Sequence, residues 1–63
     1  MMLTVNGERK KMAFRGGTIA DLLRRMGLPR EEVLVKLNWG LAPEDAQVNA
    51  KDRVEIIKVV FGG

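Results

Sequence analysis

Cysteine, histidine, serine and tyrosine are all missing from the 63 residues of this chain. Without cysteine there is neither a disulfide to staple the fold nor a thiolate to react. Without cysteine and histidine the usual zinc sites cannot be assembled, and no metal site is expected. Thr4 and Thr18 carry the only side-chain hydroxyls, so a nucleophile paired with a base has almost nothing to be made from. Carboxylates and lysines remain as acid and base groups, but a chain this short has no room for a deep cavity to shift their pKa values. An independent enzyme is not expected. Long apolar runs are missing too: nothing approaches a membrane span, and the N-terminal MMLTVNGERKK has no apolar stretch of signal-peptide length. The expectation is a cytoplasmic protein with no membrane partner.

What is present describes a small globular domain. The residues are 46% hydrophobic and 30% charged, with a net charge of +3, the balance of an ordinary soluble fold. At this length folding removes only roughly 60% of the unfolded chain's surface from water, so the core is modest. The positive balance favours acidic partners without choosing among them.

Leu3 and Val5 alternate with polar neighbours and are followed by Asn6-Gly7, the strongest short-range signal for a two-residue hairpin turn. The return strand is expected from about Arg9 to Phe14. A helix follows, with Thr18 as N-cap and Asp21 near its positive end. Ile19, Leu22, Leu23 and Met26 share one face at helical spacing, Asp21 and Arg25 lie four apart on the other, and Gly27 with Pro29 ends the helix. Val33 to Leu37 reads as a short strand bounded by Asn38-Trp39-Gly40. Residues 41–52 read as loop, with a helical turn or short edge strand. The stretch from Arg53 to Phe61 reads as a strand apolar on both faces, Val54, Ile56 and Val60 on one and Ile57, Val59 and Phe61 on the other, which suits a central position in a sheet. The last strand pairing beside the first completes a two-layer α+β domain spanning 1–63.

Four pieces then resemble one family: Val5-Asn6-Gly7-Glu8 at the first turn, Gly17-Thr18-Ile19-Ala20-Asp21-Leu22-Leu23 at the helix start, Asp52-Arg53-Val54-Glu55-Ile56-Ile57 in the last strand, and Gly62-Gly63. In this order and spacing they resemble the β-grasp, ubiquitin-like sulfur carriers of the ThiS and MoaD type, with the length and ending more like ThiS. The resemblance implies a mixed sheet of four or five strands with one helix packed on one face, and a flexible tail at 61–63. It also implies that a separate adenylating enzyme spends ATP to activate the carboxylate of Gly63. Sulfur then replaces AMP to give a thiocarboxylate, which passes to a sulfur-accepting synthase in thiamine or molybdopterin synthesis or in tRNA thiolation. The carrier binds no cofactor and holds sulfur covalently. Gly62 lacks a Cβ and can thread a narrow channel. A ubiquitin-like modifier joined to lysines through Gly63 is the alternative, and a non-reactive basic binding domain is a further one.

Phe61, Val59 and Ile57 are the candidates for docking the activating enzyme, because an apolar sheet face without a second helix commonly marks an interface. Trp39 is read as a lid on one end of the core rather than a partner anchor, since a small domain gains much by burying a large ring. Arg9, Lys10, Lys11, Arg15, Arg24 and Arg25 form a solvated face that steers acidic partners. Nucleic-acid binding needs a basic stripe interleaved with exposed aromatics. Only Phe14, Trp39 and Phe61 are available, with at least one in the core, so no nucleic-acid partner is expected.

Overall fold

The computed structural model describes residues 1–59. Strand β1 (Met2–Val5) turns at Asn6-Gly7 into β2 (Glu8–Lys11). A two-residue strand β3 (Gly17–Thr18) leads into α1 (Ile19–Met26). A 3-10 turn at Arg30–Glu32 precedes β4 (Val33–Leu37), followed by β5 (Gly40–Leu41), β6 (Gln47–Val48) and β7 (Val54–Lys58). The five-stranded sheet runs β2-β1-β7-β4-β5, with β3 and β6 forming a separate two-stranded ladder. β7 is therefore central, parallel to β1 on one side and antiparallel to β4 on the other. This is the mixed sheet with one covering helix that the β-grasp resemblance implies.

The helix forms where its signals lie. Thr18 Oγ1 accepts the Asp21 backbone N–H at 3.1 Å, and Asp21 Oδ2 accepts the Thr18 N–H at 3.0 Å, a reciprocal capping box. Gly27, at φ 72°, ends the helix in the left-handed conformation. The Ile19 and Ala20 N–H groups donate to Ala46 and Glu44 carbonyls at 3.0 and 2.8 Å, so the loop before β6 closes the helix's open N-terminal end. Ile19, Leu22 and Leu23 meet the inner-face residues Leu3, Val5, Val33, Val35, Val54 and Ile56, with Val48 completing the core. Each fully buried Leu or Ile contributes about 1.5–3 kcal/mol relative to exposure.

Four expectations need correction. β2 ends at Lys11, short of Phe14, because Lys11 pairs with Met2, the first residue of β1, and the ladder has no partner strand beyond it. The last strand is Val54–Lys58 rather than Arg53 to Phe61; Val60 and Phe61 lie outside the described residues. Asp21 pairs with Arg24 at 3.3 Å rather than with Arg25. Trp39 is no lid, being 80% exposed.

Candidate functional site

The end of β7 is held on both sides. Asn6 stands at φ 49° in the β1–β2 turn, a conformation asparagine tolerates better than most residues. Its backbone N–H donates to the Ile56 carbonyl at 2.9 Å and its side-chain Oδ1 accepts the Lys58 N–H at 2.8 Å. On the opposite side the Val33–Lys58 pair ends the β4 ladder, and the Val59 N–H donates to the Glu32 carbonyl at 2.8 Å. Val59 is the last of the described residues. Four further residues, 60–63, reach about 14 Å if fully extended.

Of the residues singled out for docking, Ile57 and Val59 are half-buried. Ile57 lies on the sheet face away from the helix and pairs across the ladder with Leu34, which is 47% exposed. Phe61, Gly62 and Gly63 lie outside the described residues. Leu34 was not legible as a surface residue: in Val33-Leu34-Val35 it looks like part of a continuous core strand. Only the register against Ile57 sets it on the open face.

The acid–base inventory is sparse. Among the described residues no charged or polar side chain is buried, and no group of three or more Asp or Glu gathers as for a metal ion. Two carboxyls stand out. Asp21 is held below the usual 3.8 chiefly by its hydrogen bond from the Thr18 backbone, then by the Thr18 side chain. Asp52 is lowered first by the Asn49 backbone N–H and then by the Asn38 side chain. Both serve local structure, at the helix cap and in the loop before β7. No helix among the described residues is long and apolar enough to cross a membrane.

A family model described as the ThiS family matches residues 3–63. Small archaeal modifier protein 2 of Haloferax volcanii is 40% identical over 47 residues, covering 75% of this chain and 70% of that protein. The crystal structure of the thiamine biosynthesis protein ThiS from Geobacter metallireducens superposes with a TM-score of 0.67 at 30% identity, covering 100% of both chains.

Proposed function

This chain belongs to the ThiS family, whose members are small carrier proteins and not enzymes, and we propose that it carries sulfur as a thiocarboxylate on Gly63. The observation that supports this reading most is the clamped end of the central strand, held at Lys58 and Val59 just ahead of a Gly-Gly sequence. The family match runs through that sequence to residue 63.

In the proposed cycle a Gly63 carboxylate oxygen attacks the α-phosphorus of ATP in the active site of an adenylating partner, and pyrophosphate leaves. A sulfur nucleophile then attacks the acyl carbon. The carbon–oxygen bond to AMP breaks, and AMP departs with its electron pair. The thiocarboxylate sulfur becomes the nucleophile toward a sulfur-accepting synthase. Gly62, with no Cβ, lets the last residues enter the partner's channel. The partner docks on Ile57, Leu34 and Val59, with Phe61 beside the tail. The carrier's task is to present one carbonyl carbon, and the partners supply every catalytic group.

Intact-mass measurement after incubation with ATP, an activating enzyme and sulfide tests this. Exchange of one oxygen for sulfur at Gly63, abolished by its deletion, is expected; an unchanged mass refutes the reading. The likeness to an archaeal modifier protein favours a second use of the same adenylate, attack by a lysine amine to form an isopeptide bond. Adducts on other proteins that need Gly63 would show it.

A further inference from the structure

Trp39 occupies a position that suits neither its backbone nor its ring. It follows Asn38 in the two-residue turn between β4 and β5, with φ values of 51° at Asn38 and 80° at Trp39. Such turns take glycine at the second central position because a side chain there is strained. The ring gains no burial in return, remaining 80% exposed. Packing does not account for it.

Its surroundings are organised. The Arg53 guanidinium lies over the indole at 4.5 Å from the ring centre. The turn is fastened to the loop that carries Arg53: the Arg53 N–H donates to Asn38 Oδ1 at 2.9 Å, the Asn38 N–H donates to the Arg53 carbonyl at 2.9 Å, and Asn38 Nδ2 donates to Asp52 Oδ1 at 3.1 Å. Asp52 Oδ2 accepts the Asn49 N–H at 2.7 Å. Beside this platform a groove is lined by Arg9, Lys51 and Arg53 with Met2 and Thr4, and Lys11 faces Met2 across the β1–β2 ladder. Asp52, the acid in the groove, has both oxygens engaged. The patch lies where β7 begins, about 16 Å of strand away from the clamp at its end.

We propose that this pole of the molecule binds a single-stranded nucleic acid. One base stacks on the open face of Trp39, with Arg53 on the other face, and Arg9, Lys11 and Lys51 receive the adjoining phosphates. An acidic peptide would satisfy the cations but has no use for an exposed planar ring already backed by a guanidinium; base stacking does. The expectation of no nucleic-acid partner rested on the want of a basic stripe interleaved with exposed aromatics; Trp39, exposed beside Arg9, Lys51 and Arg53, supplies one such aromatic. The proposal does not depend on sulfur transfer, since Asn38 and Arg53 tie this patch to the start of β7 while the clamp at Lys58 and Val59 lies at its end.

Trp39 is the only tryptophan and there is no tyrosine, so intrinsic fluorescence reports this platform alone. The full chain is titrated at low salt with an oligouridylate, and separately with poly-glutamate. Quenching by the oligonucleotide is expected, with a log–log salt slope of about −2 for three phosphate contacts on a single strand. Anisotropy of a labelled oligonucleotide then reads the variants. Trp39→Leu weakens binding by about 10-fold or more, while Lys51→Ala lowers the slope by about 0.7, both with unchanged circular dichroism. Undetectable binding at low salt, equal affinity for poly-glutamate, or undiminished binding by Trp39→Leu overturns the proposal. An equal response to poly-glutamate would assign the patch to an acidic protein segment instead.

Discussion

The carboxamide oxygen of Asn6 accepts the backbone N–H of Lys58 at 2.8 Å, joining positions 52 apart in sequence. A turn residue thereby finishes the ladder at the end of the central strand. Asn6→Ala loses this bond and asparagine's tolerance of positive φ. Together these cost about 2 kcal/mol, read by urea denaturation. Asn6→Asp keeps the accepting oxygen and recovers most of the loss. Hydrogen exchange separates the two: the Lys58 amide exchanges faster in Asn6→Ala and stays protected in Asn6→Asp.

Gly17 stands at φ 143°, and a Cβ built on it meets Asp21 Oδ2 at 2.8 Å and the Phe14 ring at 3.4 Å. Gly17→Ala therefore strains the backbone and presses on the capping box at once. A loss of about 1–3 kcal/mol is expected, from a total stability on the order of 3–9 kcal/mol for a chain of this length. Thermal unfolding checks it, and a midpoint equal to that of the parent would refute the packing account.

Asp21 and Asp52 are both held below 3.8 in the folded state. The unfolded chain takes up these two protons first as pH falls, so their stabilisation is complete above about pH 4 and is lost as pH drops through the folded values. Denaturation midpoints should fall on acidification below about pH 4. The Asp21→Asn, Asp52→Asn double variant should show a shallower acid limb; an equally steep one would put the effect elsewhere.

Trp39→Gly removes a strained φ and gives up the Arg53 contact and some backbone entropy. Relief of about 1 kcal/mol or more is set against roughly 0.5–1 kcal/mol for each loss. Stability should stay within about 1 kcal/mol of the parent by the same urea assay. A much larger loss would mean that the ring supports the fold after all.

Leu34→Glu tests the docking face apart from the fold. The residue is 47% exposed, so thermal stability should hardly move, while the KM of the activating enzyme for the carrier rises about tenfold, near 1.4 kcal/mol. An unchanged KM would remove this face from the docking site.

Much of this fold was legible because its signals are local. Thr18, Asp21 and Gly27 mark both ends of α1, Asn6-Gly7 marks the first turn, and the apolar stretch from Arg53 to Phe61 marks a central strand, of which Val54–Lys58 forms the ladder. Less legible was whatever depends on partners distant in sequence. The strands β5 and β6 are two residues each and exist through their neighbours. Leu34 acquires its face from a register no local pattern contains. Trp39 was misread for a physical reason: a large ring usually gains by burial, but Asn38-Trp39 is itself the turn, and a hairpin tip points away from any core.

The parallel pairing of β1 with β7 also orders events during synthesis. The middle of the sheet comes from residues 54–58, so a growing chain on the ribosome cannot complete its sheet until Lys58 has cleared the exit tunnel. Fragments broken off earlier lack both the central strand and the residues that follow it. Because β7 is the strand that joins β1 to β4, such a fragment cannot assemble the five-stranded sheet.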